Sequence, residues 1–378
     1  MMVLKKAALP KGFKANGIAC GLKKSGKMDL ALFYSEVPAK AACLFTTNKI
    51  TAAPLKLDKK FLKVNSGFQA IVVNSSNANC LTGKSGVKDA EETAKTFASF
   101  LNIKKESVLV NSTGIIGKRL DVGKIKNASG NLVKGLSAKG IMYASKAIMT
   151  TDTFEKEVTV KLDIGGNKIT VCGIAKGAGM ISPNMATLLC FIMTDANIAL
   201  SALKKALKDS VDGSFNCITV DGCMSTNDSV MVLANGEGGN KIISGGRDYD
   251  NFSKALHYVC LQLAKMVVRD GEGATKFIEI TVDKAKNTEE AKIAALAIAN
   301  SNLFKTAIYG ENPNFGRIAS AVGACGIDVE ESKLRCKVTS LKKKDIKVHV
   351  EINTGKAKSV IYTSDLTPEY IKINAEYN

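Results

Sequence analysis

Thr187 stands where a stretch bearing glycine and proline, KGAGMISPNMA, meets a continuous apolar run, LLCFIMT. A hydroxyl nucleophile needs a base to take its proton. The sequence holds only two histidines, His257 and His349. The first falls in an amphipathic helical pattern and the second in an alternating strand pattern, KVHVEI, so both read as structural. A threonine whose own α-amino group is freed by cleavage of the preceding peptide bond carries its base with it. That amine has an ordinary pKa of about 8, close enough to neutrality to accept a proton. Two features favour this chemistry at Thr187. LLCFIMT has the composition of a strand buried on both faces, which would fix the hydroxyl at the edge of a rigid element. The stretch before it is rich in residues that tolerate tight backbone, and backbone strain is one route to a cleavable peptide bond. The plain alternative is a turn joining two strands.

Other chemistries fit the sequence less well. KGAGMIS follows a strand-like run, but a dinucleotide-binding loop needs glycine where Ser182 stands, and no Walker pattern occurs. The ten cysteines are scattered, none in CxxC spacing, and two histidines add little to a zinc site. They read as reduced and mostly buried, and no metal is expected. The net charge of +18 invites a nucleic-acid partner. Yet the lysines are spread along the chain and aromatics make up only 6% of it, without the interleaving that stacking on bases requires. Lys104–Lys105, LKKKD and LDKKF read as polar surface segments, and no nucleic acid is expected.

The elements that must position Thr187 follow from periodicity. DLALFYS, QAIVVNS, SVLVNST, KITVCGIA, TLLCFIMT, SVMVLANG, FIEITVD and IKVHVEI read as strands. NFSKALHYVCLQLAKMVV places Phe252, Leu256, Cys260, Leu263 and Val267 at helical spacing, with an end near Asp270 and Gly271. A second helix is expected over TEEAKIAALAIANS. This mixture predicts an α/β architecture in one compact unit, with room for two lobes. The longest apolar runs, LLCFIM and IAALAIA, are far shorter than the roughly 20 residues of a bilayer span. The N-terminal residues lack an apolar core and cleavage site, so a soluble, cytoplasmic protein without a membrane partner is expected.

The sequence resembles the glutamate N-acetyltransferase family, also called ornithine acetyltransferase, of arginine biosynthesis. The resemblance runs nearly end to end through PKGFKANGIACGLK, DLALFYSEVPAKAACLFTTN, NSSNANCLTG, NSTGIIG, MTTDTFEK, KGAGMISPNMATLL, VDGCMSTND, RDGEGATKF, YGENPNFGRIASAVG and INAEYN. It implies a self-cleaving, N-terminal-nucleophile-like layered α/β fold with buried sheets between helices. Cleavage between Ala186 and Thr187 would give an alpha chain of residues 1–186 and a beta chain of residues 187–378. The resemblance further implies a ping-pong transfer from N2-acetylornithine to glutamate through an acetyl ester on Thr187. Thr113 and Gly114 in NSTGIIG would serve the oxyanion. Thr153, Lys176, Thr187, Glu272 and Asn374 would bind substrate. No cofactor is implied, although acetyl-CoA serves some members as a second donor, and the assembly would be a dimer of heterodimers. A lysine and a glutamate in one pocket suit an acetylated amino acid with a carboxylate and a cationic side chain. Gly271 and Gly273 beside Glu272 would let backbone and ligand approach.

Four positions depart from the family pattern. Asn111 stands where alanine is frequent, Ser76 where glycine is, and Cys223 where aspartate is usual. The family commonly continues with Ser or Thr beyond the position of Asn378, so one substrate contact is expected to be missing or made differently. Two other classes stay open at this stage. Aminopeptidases of the self-cleaving fold would also place a nucleophile, usually serine, at a scissile loop. A basic binding protein would remain one intact chain with salt-sensitive affinity.

Overall fold

The computed structural model describes residues 1–182 and 188–376. The chain divides into two units, the first comprising residues 1–177, 188–215 and 224–263, the second residues 178–182, 216–223 and 264–376. Ala186 and Thr187 lie outside the described residues.

The first unit is built on a nine-stranded mixed sheet. Its strands are β1 (Met2–Val3), β2 (Phe13–Ile18), β3 (Leu30–Phe45), β4 (Phe68–Asn74), β5 (Val108–Ser112), β6 (Lys156–Ile164), β7 (Asn167–Lys176), β8 (Leu189–Thr194) and β9 (Ser229–Ala234). They lie in the order β1-β6-β7-β8-β9-β3-β4-β5, with β2 added on β3. β3 pairs with β2 and β4 through its first half and with β9 through its second. Pro38 falls at the shift in register between the halves, where its missing N–H costs no regular ladder bond. Every residue of β5, β8 and β9 is buried. Such strands must be covered on both faces, as the unbroken apolar runs SVLV, LLCFIM and SVMVLA require.

Helices α1 (Ala53–Val64) and α2 (Gly83–Leu101) pack on β5, α3 (Val122–Lys134) and α4 (Ile141–Ile148) on β2, and α5 (Leu200–Asp212) on β3. The segment LDKKF is corrected here from a polar surface block to the inner face of α1. Leu57, Asp58 and Phe61 are buried while Lys59 and Lys60 point outward, as a 3.6-residue period dictates. The expected amphipathic helix is α6 (Gly246–Arg269), which begins six residues before Phe252, the first residue of its apolar stripe.

The second unit holds β10 (Phe277–Ala285), β11 (Arg335–Val338), β12 (Asp345–Glu351) and β13 (Ala357–Ser364) in the order β11-β12-β10-β13. Along β12 exposed Asp345 and Lys347 alternate with buried Ile346, Val348 and Val350. The buried set joins the core that α7 (Thr288–Ala299) closes by packing on β10 and β13. That helix is capped by Asn287, whose side chain accepts from the Glu290 N–H. Three short helices complete the unit, α8 (Asn302–Tyr309), α9 (Gly316–Gly323) and α10 (Pro368–Glu376). Among the described residues no helix is long and apolar enough to cross a membrane.

Candidate functional site

In the first unit the site is organised by a hairpin. β6 and β7 are joined at Gly165 and Gly166, with φ of +58° and +84°, the pair of left-handed residues that a type I′ turn demands. The register that this turn sets places Lys156 opposite Ala175 at the open end, beside Lys176. Asp152, in the loop between α4 and β6, sits between the two lysines. Its Oδ1 accepts from Lys156 Nζ and from the Gly177 N–H, each at 2.7 Å, and its Oδ2 accepts from the Thr150 N–H at 2.9 Å and lies 3.9 Å from Lys176 Nζ. Burial alone would push this carboxyl up. The ammonium groups of Lys176 and Lys156 outweigh it and hold Asp152 well below the usual carboxylate range.

Lys176 is itself buried, and its ammonium donates to Thr150 Oγ1 at 2.7 Å and to Thr113 Oγ1 at 3.4 Å. Thr113 follows β5, and three sequence motifs converge to hold it. Its N–H donates to the Asn74 carbonyl, Ser112 Oγ donates to Asn74 Oδ1 at 2.6 Å, and Asn227 Nδ2 donates to the carbonyls of Ala78 and Ser112. Gly114 has φ of +131°, and a Cβ there would run into the backbone of Ser76 and Asn77. No other residue fits that approach. Its N–H donates to no group among the described residues. Thr113 and Gly114 thus present a hydroxyl and an uncommitted amide side by side, the donor set that a developing oxyanion requires.

The second unit carries a separate cluster. Thr367 caps α10 by accepting from the Tyr370 N–H, and its hydroxyl donates to the Gly273 carbonyl, which ties the helix start to the turn after α6. One turn on from Tyr370, Asn374 Nδ2 donates to Glu272 Oε2 at 2.8 Å. Gly273, at φ +68°, lies against the backbone of Glu369 and Tyr370, and a Cβ on Gly179 would occupy the space of the Glu272 carboxylate. The neighbouring Asp221 accepts from the N–H groups of Met180, Ile181 and Cys223 at 2.6, 3.0 and 3.0 Å.

Of the residues singled out from the sequence, Thr113, Gly114 and Lys176 come together in the first unit, and Glu272 and Asn374 in the second. Thr153 is exposed, one residue beyond Asp152 in the same loop. Ala186 and Thr187 lie outside the described residues. His257 lies against Gly213, and His349 Nε2 is 3.7 Å from Glu351 and 4.0 Å from Asp283. Sequence reasoning missed Thr150, Asp152 and Lys156, although the spacing of Asp152 and Lys156 is that of a helical ion pair and both lie in the motif MTTDTFEK. It also missed Lys23, whose ammonium holds the carbonyls of Met28 and Met149. Burial pushes Lys23 down to about 8, Asp29 and Asp152 opposing this and Lys176 adding to it.

The departures have structural readings. Ser76 has φ of +87°, a left-handed conformation that accounts for glycine at this position in the family. Asn111 is fully buried, and while its Nδ2 reaches Asp58 Oδ2 at 3.4 Å, its Oδ1 has no partner among the described residues. At Cys223 the backbone N–H donates to Asp221 Oδ1 and the thiol to the Asp221 carbonyl at 3.7 Å.

The sequence matches the ArgJ family over residues 14–378. It is 45% identical to the arginine biosynthesis bifunctional protein ArgJ of Caldanaerobacter subterraneus, covering 98% of each chain. It is 44% identical to the glutamate N-acetyltransferase of Methanocaldococcus jannaschii, covering 97% of each. A solved ornithine acetyltransferase from Mycobacterium tuberculosis, complexed with ornithine, is 36% identical, with a TM-score of 0.45 over 50% of this chain and 98% of that one.

Proposed function

The chain belongs to the ArgJ family, the glutamate N-acetyltransferases of arginine biosynthesis, and on that premise we propose that Thr187 is its nucleophile and that it acts after self-cleavage. In maturation the Thr187 hydroxyl adds to the carbonyl carbon of Ala186. The C–N bond breaks as the departing amine takes a proton, leaving an ester. Water then hydrolyses that ester, giving the Ala186 carboxylate and a Thr187 with free hydroxyl and free amine. In transfer, that amine takes the hydroxyl proton as the oxygen attacks the acetyl carbonyl of N2-acetylornithine. Ornithine leaves with the proton on its nitrogen, and an acetyl ester remains on Thr187. The amine of glutamate attacks that ester, N-acetylglutamate departs, and the hydroxyl is restored.

The observation that carries this reading is the pairing of Lys176 with Leu189 in β7 and β8, with Thr113 and Gly114 held at the Lys176 end. Thr187 is two residues from Leu189 along the chain. Thr113 Oγ1 and the Gly114 N–H supply the oxyanion donors for both tetrahedral intermediates, and such donors act most strongly where water is excluded. Lys176 supplies a cation suited to the carboxylate of an acetylated amino acid and Glu272 an anion suited to the ornithine ammonium, with Thr153 and Asn374 as neutral polar contacts. The two relatives differ in name on whether a second reaction exists, and assay of glutamate acetylation with acetyl-CoA decides it for this chain. The mature assembly is read as two such cleaved pairs in the cytoplasm.

Intact-mass measurement under denaturing conditions tests the reading. The wild type is expected as two chains of 186 and 192 residues, the second beginning at Thr187, and Thr187→Ala as one folded, inactive chain. Transfer activity in Thr187→Ala overturns the mechanism.

A further inference from the structure

Residues 178–181, which precede the proposed scissile bond, are held by other residues of the second unit. Met180 has φ of +57°, a conformation that a side chain larger than glycine seldom adopts. Successive N–H groups around such a residue converge to form a seat for an anion. Here the N–H groups of Met180 and Ile181 converge on the two oxygens of Asp221. The grip is doubled by the Val220 N–H, which donates to the Ile181 carbonyl at 2.9 Å, and lengthened upstream, where the Glu272 N–H donates to the Ala178 carbonyl at 2.9 Å.

Asp221 is in turn fixed. Tyr370 Oη donates to its Oδ2 at 3.3 Å and the Cys223 N–H to its Oδ1. The backbone just before it is braced by Lys305, whose ammonium donates to the Val220 carbonyl at 2.6 Å and to Thr363 Oγ1 at 3.1 Å. Lys305 is buried, yet no carboxylate lies within ion-pair distance among the described residues. A cation kept in such a place is costly unless its hydrogen bonds have a use. Val220, Asp221, Asn300, Lys305, Leu366 and Tyr370 line a cavity of about 260 Å³.

We propose that Asp221, braced by Lys305 through Val220, is a positioning residue for maturation, holding the Met180–Ile181 backbone so that the peptide bond five residues on meets its hydroxyl. The assignment rests on the reading that the Ala186–Thr187 bond cleaves itself. Attack within one chain depends on a near-attack geometry, so loosening one end of the segment slows cleavage more than it lowers stability. The carboxylate faces the cavity as well as the backbone, which leaves room for a small anion to stand in for it.

The test follows newly synthesised 378-residue chains by mass as they convert to fragments, for the wild type, Asp221→Ala, Asp221→Asn and Lys305→Met, with thermal unfolding of each. Asp221→Ala is expected to cleave on the order of 100-fold more slowly at a temperature where it is folded. Added formate is expected to restore part of that rate, and to change neither the wild-type rate nor that of Lys305→Met, where the carboxylate is intact. Where Asp221→Ala does not fold, Asp221→Asn carries the test, because it keeps one acceptor oxygen and loses the other. A folded Asp221 variant that matures at the wild-type rate, or one whose slow cleavage merely tracks its lowered melting temperature with no response to formate, overturns the assignment. A wild type that stays one chain overturns the self-cleavage reading, and the clamp falls with it.

Discussion

The ammonium of Lys176 reaches the hydroxyl oxygen of Thr113 from one side and approaches the carboxylate of Asp152 from another, at 3.4 and 3.9 Å. The three residues come from β7, the end of β5 and the loop before β6. Lys176 therefore links the oxyanion candidate to a buried counter-charge, and each partner can be removed separately.

Thr113→Val preserves shape and removes the hydroxyl. Transfer turnover is expected to fall by about 10²- to 10³-fold, the usual effect of losing one oxyanion donor, with KM little changed. Steady-state kinetics with N2-acetylornithine and glutamate check it, and an unchanged turnover would remove Thr113 from the chemistry.

Asp152→Asn removes the carboxylate that pairs with Lys156, whose side chain is wholly buried. A loss of about 3–5 kcal/mol in unfolding free energy is expected. The pH dependence has a definite sign. A carboxyl whose folded pKa is depressed stabilises the fold above its unfolded pKa of about 3.9 and loses that contribution only as pH falls through the folded value. The wild type should keep the whole contribution from pH 7 down to about 5, and urea unfolding at several pH values reads it.

Glu272→Ala is expected to raise KM for N2-acetylornithine or lower turnover while leaving maturation intact. The reason is that the contact of residue 272 with the Ala178 carbonyl is made by its backbone N–H, which alanine retains. Kinetics and intact mass on one preparation separate the two effects, and unchanged kinetics would take Glu272 out of the site.

Burial lowers Lys305 from 10.5 to about 8, Asp221 and Asp365 opposing it in part. Between these values the unfolded chain binds more protons than the folded one, so stability from this group rises with pH through that window and is lowest below about 8. The full shift corresponds to about 3 kcal/mol. Relative to Lys305→Met, the wild type should gain stability between pH 8 and 10, measured by chemical unfolding; a parallel pair of curves would contradict the burial.

Some of this was readable from residues alone. Unbroken apolar runs gave β5, β8 and β9, the helical stripe gave α6, and TEEAKIAALAIA gave α7, because burial writes a local periodicity into sequence. The order of the motifs identified the family and with it the candidate residues. β6, β13 and the shorter helices carry mixed or brief patterns, and none of them was named in advance.

What the sequence could not supply was the meeting of charges. Asp152 and Lys156 are four residues apart but not on a helix, and they join Lys176 only because two glycines fix the register of the β6–β7 hairpin. Asp221 and the Met180–Ile181 backbone are about forty residues apart, with nothing in either stretch to announce the other. Local pattern determines which residues are buried and in what element. Which buried polar groups satisfy one another is settled by strand register and loop placement, and only the tertiary structure decides those.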